Sequence, residues 1–293
     1  MEPALLPSST GSTASALKLD RVGRDGALSL AFERRGGETI LVKRCFTLPL
    51  QMLEPTAQDD GSVYLMLLNP TGGLVGGDHL RATINLGKGS HVCITTPSAT
   101  KVYRTIGLPA VQETTIRIEE GAVLEYLPEH LIPYPGSALR QSLTVEMGPK
   151  SKAILFDAFA VGRLARGEKW MFRELVNRIS VSSCGRPLFL DRIRLEPSTR
   201  NFTGLGGMEG FGYFATLVLF ADGLEGWSEV ACVLENRLSQ FLSLSGGACP
   251  IPRGGCLVRL LTTSAYDLTE ATSVLWCLAR KLLLNLPPAD MRK

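Results

Sequence analysis

Over most of the chain, apolar and polar residues alternate with a period of two. "HVCITT", "TIRIE", "AVLEYL", "SLTVEM", "LVNRISVS" and "LFLDRIRL" each offer every second side chain to a core, as a half-buried strand does. "AILFDAFAV" and "YFATLVLF" read as further strands of the same series, the first apolar apart from Asp157. From Ser29 to about Phe220 one such segment follows another, and glycine turns at Gly89, Gly121, Gly148 and Gly185 each lead to the next. Their intervals of 32, 27 and 37 residues are too uneven for a true repeat. They still predict a layered, solenoid-like stack of strands.

Beyond Phe220 the period changes. Trp227, Val230, Ala231, Leu234, Leu238, Phe241 and Leu242 recur at helical spacing until Gly246-Gly247, which predicts an amphipathic helix ended by glycine. "CLVRLLTT" reads as a strand. A second helix is predicted from Asp267 as N-cap, with Glu270 three residues on and Leu268, Ala271, Leu275, Leu278 and Leu282 on one stripe, stopping before Pro287-Pro288. The expected class is α+β, predominantly β. A flexible lead over residues 1–16 precedes one domain over 17–293, strand-rich from 17 to 220 and helix–strand–helix from 221 to 287.

One loop interrupts the strands conspicuously: "NPTGGLVGGDHL", with Gly72, Gly73, Gly76 and Gly77 in six positions. Gly72 and Gly77 have the spacing of a phosphate loop, but Asp78 and His79 stand where Lys and Ser/Thr are needed, and a carboxylate there repels phosphate. A dinucleotide fingerprint would put Thr71 at a glycine position. Both phosphate motifs open a helix, whereas His79 to Leu86 alternates as a strand, so the loop is expected to connect strand to strand.

Composition narrows the functional classes. The 293 residues are 45% hydrophobic and 20% charged, as in a globular protein, and a net charge of +3 is too small to argue for nucleic acid. The first twenty residues lack a basic region followed by an apolar run, and no stretch is long and apolar enough to span a membrane, which predicts a cytoplasmic protein. Seven cysteines without a Cys-x-x-Cys are expected to be reduced and mostly buried. Between Arg163 and Arg200 nine Lys or Arg face four Asp or Glu, a bias that suits solvated strand faces or an acidic protein partner.

Neither a G-x-S-x-G elbow nor H-E-x-x-H occurs, and only His79, His91 and His130 are present, so a hydrolase has no evident nucleophile and base. The unusual residues are acids inside apolar strands, Glu125 in "AVLEYL" and Asp157 in "AILFDAFAV". A buried carboxylate needs a cation, the surface or an internal hydrated space. A structural ion pair with Lys101, Arg104 or Arg163 is the plainer expectation. The sharper one is a hydrated passage, lined by acids, that a divalent cation follows. His91 and Cys93 share one strand face, and Glu129-His130 lies in the proline-bounded "LPEHLIPYPG"; both pairs are weaker candidate metal ligands.

Taken in order, these segments resemble one family. Asn69-Pro70, Gly72-Gly73, Val75-Gly76-Gly77-Asp78, Thr95-Thr96 and Ala99-Thr100-Lys101-Val102-Tyr103-Arg104 are followed by Gly121-Ala122, Leu124-Glu125, Leu127-Pro128, Gly136, Gly162-Arg163 and Gly167-Glu168. This series resembles the urease accessory protein UreD family, called UreH in some organisms, and the likeness extends faintly to the last helix. The chain departs from the family at Thr71, at Pro97-Ser98 and at Glu129-His130. The resemblance implies a β-helix-like stack of strands with two helices, acting without catalysis in the maturation of nickel urease. It implies UreF, the GTPase UreG and apo-urease as partners, no membrane, no tightly bound cofactor, and transient Ni²⁺ in an internal tunnel. Asp78, Glu125 and Asp157 are then the candidates to line the nickel path, while Gly72, Gly73, Gly76, Gly77, Lys101, Tyr103 and Arg104 are motif residues. A nickel storage or sensor protein is the alternative, and it would need a tight preformed site.

Overall fold

The computed structural model describes residues 24–288, so the lead expected over residues 1–16 lies outside it. The chain forms a β-solenoid of about four turns. Each turn climbs through a strand of a first sheet, crosses to a second, and returns through a short third side. In the first sheet His79–Leu86, Ala110–Ile118, Ala138–Met147 and Glu174–Ser183 stack in parallel. In the second, Val63–Leu68, His91–Thr95, Val123–Leu127 and Lys152–Ala160 do the same. Thr100–Val102 pairs in parallel with Leu131–Pro133 on the third side, and Leu74 bridges to Val102.

The glycine turns hold the coils in step. Gly89 N–H donates to the carbonyl of Glu120 at 3.0 Å and Gly121 N–H to that of Pro149 at 2.9 Å, so each turn is bonded to the turn above it. His79, Val111, Arg140 and Val176 lie in one stacked row, spaced by 32, 29 and 36 residues. The last spacing is longest because that turn carries the small Gly162–Arg163 and Glu168–Lys169 hairpin. Gly185 does not continue the stack. It turns an antiparallel hairpin in which Arg186–Leu195 closes the sheet edge, and the Asp25–Arg35 and Glu38–Thr47 hairpin ends the same sheet at the other side.

Alternation sets the cores. Inward residues such as Leu30, Phe32, Ile84, Ile116, Val145, Leu124 and Leu155 fill the space between the sheets. The second sheet is extended by the antiparallel strands Tyr213–Ala221, Gly255–Thr262 and Leu244–Ile251. Its outer face is covered by two helices, Trp227–Leu238 and Ala265–Ala279, which explains why "AILFDAFAV" and "YFATLVLF" are apolar throughout.

Three expectations need correcting. The first helix stops at Leu238, Leu242 is fully exposed, and Gly246-Gly247 lie inside a strand whose backbone packs so closely that a Cβ on Gly246 would meet the carbonyl oxygen of Arg259 at 2.3 Å. The second helix is capped by Ser264, whose Oγ accepts the N–H of Asp267 at 3.3 Å, so Asp267 is in the first turn. The helix continues through a π-helical turn, Arg280–Leu284, before the prolines. All seven cysteines are free, but only Cys93 and Cys256 are buried, because Cys45, Cys184, Cys232 and Cys249 fall on solvent faces. No helix among the described residues is long and apolar enough to cross a membrane.

Candidate functional site

The glycine loop lies on the third side of the solenoid. A Cβ on Gly73 would meet the Lys101 carbonyl oxygen at 2.4 Å, and one on Gly76 would meet Thr105 at 2.5 Å, because the next coil presses against both. Gly72 and Gly77 instead take positive φ values of 78° and 87°. Asn69 fastens the loop, accepting from the Thr71 N–H and hydroxyl and donating to the Gly73 carbonyl at 3.0 Å. The motif residues after it serve the same stacking. Leu74 N–H donates to Lys101, Tyr103 N–H donates to Leu74, and Arg104 bridges to Ser137 on the following coil. The Tyr103 ring meets Tyr134 edge-on, and Arg163 stacks over Tyr134 while holding Glu168 through two hydrogen bonds.

Behind this loop, between the two sheets, is a cavity of about 190 Å³, room for several waters. Asn69, Gly72, Gly73, Thr96, Ser98, Thr100 and Glu129 line it on the loop side, and Gln112, Thr114, Tyr126, Gln141 and Asp157 line it deeper in. Asp157 is almost fully buried and receives hydrogen bonds from Asn177 Nδ2 at 2.5 Å and Gln141 Nε2 at 3.2 Å, both amides of the first sheet. Burial pushes its carboxyl up to about 6, a rise the two amides limit and the charge of Asp191 assists. Thr216 is its cross-strand partner, and the Thr216 hydroxyl, fully buried, has no hydrogen-bond partner among the described residues.

Glu125 is placed otherwise. It shares a strand face with Val123 and Leu127, and that face turns to the helices and away from the cavity. Its carboxylate accepts from His91 Nε2 at 2.7 Å, from Arg280 Nη1 at 2.5 Å and from the indole N–H of Trp276. Arg280 also reaches Asp60 at 2.6 Å; burial opposes ionisation there, but hydrogen bonds from Ser62 and Arg280 hold the Asp60 carboxyl below its usual value. The donors are therefore neither Lys101, Arg104 nor Arg163. Cys93 pairs with Glu125 in register, and burial together with that neighbouring carboxylate pushes its thiol well up, so it is a protonated, poor metal ligand.

The remaining candidates are dispersed. Asp78, nearly buried, accepts the Val75 N–H at 2.7 Å, burial raises its carboxyl, and it lines a separate open hollow with Arg24, His79, Leu108 and Arg140. Glu129 and His130 approach to 3.6 Å; the pair is largely buried rather than on an exposed loop, and burial holds the imidazole below its ordinary value. Among the described residues no three His, Cys, Asp or Glu side chains converge so as to hold a metal ion. Of the three acids suggested for a nickel path, only Asp157 faces the cavity. Sequence reasoning missed Gln141, Asn177 and Thr216 beside it and Arg280, Trp276 and Asp60 around Glu125. The one available signal was polar residues at inward positions of strands, as Gln141 and Asn177 are.

Comparison with known proteins adds the evolutionary frame. The model of the UreD urease accessory protein family matches residues 24–293. The chain is similar to a "Urease accessory protein UreD" of Alkalilimnicola ehrlichii, 32% identical over 272 residues that make up 92% of this chain and 91% of that one. It is 34% identical to a "Urease accessory protein UreD 2" of Streptomyces griseus over 277 residues, 92% of this chain and 93% of the relative. A further UreD of Marinobacter nauticus is 33% identical over 89% of both chains.

Proposed function

Because the chain belongs to the UreD urease accessory protein family, we propose that it serves urease maturation as a non-enzymatic cytoplasmic scaffold. It binds apo-urease together with UreF and the GTPase UreG, and Ni²⁺, the cargo, passes through the interior of its solenoid. The observation that carries the reading is the cavity between the sheets, lined by Asp157, the Gln112 and Gln141 amides and the hydroxyls of Tyr126 and Thr114. These are oxygen-rich groups that share hydrogen bonds with a hydrated cation without stripping its waters. With a pKa of about 6, Asp157 is ionised at neutral pH and lowers the energy of a dication beside it, yet a lone carboxylate gives too few ligands to trap the metal. A passage requires this balance of attraction and release.

The test is urease activity and nickel content in cells producing the urease subunits and the other accessory proteins, with and without this chain. Nickel-poor, inactive urease only when the chain is missing is expected. Equal loading in both cases would overturn the reading. A storage or sensor protein would bind nickel tightly on its own, so nickel titration of the isolated chain separates the two, with weak binding expected for a scaffold.

A further inference from the structure

Four exposed apolar residues come together along one corner of the solenoid, where the third side meets the first sheet. Val75, Ile106, Leu108 and Met171 are 48%, 89%, 76% and 54% exposed. Single exposed apolar residues are ordinary, but these come from successive turns whose loops are bonded to one another. Gly77 N–H reaches the Pro109 carbonyl at 3.4 Å, Thr105 N–H that of Gly136 at 3.1 Å, and Gly136 N–H that of Met171 at 2.7 Å. The side chain of Arg173 ties the set together by donating to the Gly107 carbonyl at 2.9 Å. The ridge is therefore held in shape by the stack beneath it, at little ordering cost for a partner.

The charge on these loops has one sign. Arg104 and Arg173 are exposed and make no ion pair among the described residues, and the single acid on residues 74–78, 104–109, 134–137 and 170–173 is Asp78, which is nearly buried and holds the Val75 N–H. We infer that this corner is a docking ridge for a protein segment that places apolar side chains against Ile106, Leu108 and Met171 and acidic ones against Arg104 and Arg173. Apolar burial supplies the affinity, and the two guanidiniums set orientation and on-rate. The inference rests on the urease-maturation reading only for where the segment comes from; the ridge and its chemistry stand on their own geometry.

The test titrates purified apo-urease, UreF and UreG separately against the full chain, at low and raised salt. Of the partners that bind wild type, one is expected to use the ridge, and Leu108→Asp and the double variant Arg104→Glu/Arg173→Glu are each expected to weaken its binding by about tenfold or more. Leu242→Asp, fully exposed on the helical side, serves as the control and leaves binding unchanged. Thermal melting confirms that each variant is folded, and Ile106→Ser provides a milder substitution where Leu108→Asp is not. Binding of every partner equally well to wild type and to the folded ridge variants would overturn the ridge and leave the maturation reading standing. Loss of self-association in the ridge variants with partner binding intact would assign the corner to a second copy and overturn it also. Binding of none of the three to wild type would overturn both.

Discussion

Glu125 and Asp157 sit on neighbouring strands of one sheet, both almost inaccessible to solvent, yet they face opposite ways. On the helical side Glu125 is enclosed by a guanidinium, an imidazole and an indole N–H, all within hydrogen-bonding distance. On the inner side Asp157 has only amide donors, and its strand neighbour Thr216 keeps an unpartnered hydroxyl. Burial alone therefore does not tell whether an acid is already paired with a cation. Glu125 is neutralised by the fold and fastens the last helix to the solenoid. Asp157 is held by neutral amides at the cavity wall and has no cationic partner among the described residues.

The largest effect is expected on the helical side. Arg280→Met leaves the buried Glu125 and the partly buried Asp60 without their guanidinium and is expected to cost about 3–5 kcal/mol in urea unfolding at pH 7. Asp157→Asn should act in the opposite direction. The folded pKa of Asp157, about 6, lies above the ordinary 3.8, so its contribution is fully present below about pH 4 and is lost as pH rises through 6. The asparagine variant should therefore be more stable than wild type at pH 7, by up to about 3 kcal/mol, and should flatten the fall in melting temperature between about pH 4 and 6. Asn177→Ala removes the shorter hydrogen bond to Asp157 and is expected to cost about 1–3 kcal/mol at neutral pH. It should also extend that fall to higher pH, which a pH series of melting curves reads directly. Trp276→Phe has the smallest expected effect, about 1 kcal/mol by the same unfolding assay, since Glu125 keeps Arg280 and His91.

Much of the fold was legible because alternation is a local signal. Inward residues such as Ile116 and Val145 repeat along each strand, and the turns at Gly89, Gly121 and Gly148 punctuate them. The direction in which a given acid points was not legible. Strand residues of either parity in "AVLEYL" and "AILFDAFAV" are covered, one face by the opposite sheet and the other by helices that arrive much later in the chain. Arg280 illustrates the difficulty, lying 155 residues from Glu125 in a turn that departs from regular helix spacing. The glycine loop was readable as a strand connection, but the reason for Gly73 and Gly76 lies in the coil pressed against them, which no local pattern records.

The proposed passage of nickel through the cavity around Asp157 can be tested in cells. The most direct measurement is the nickel content of urease matured in cells with wild-type chain, with Asp157→Asn, and with no chain, alongside the amount of urease co-purifying with each. The Asp157→Asn chain is expected to retain its partners and to yield urease clearly poorer in nickel than wild type. Full nickel loading with the Asp157→Asn chain would contradict the proposed passage.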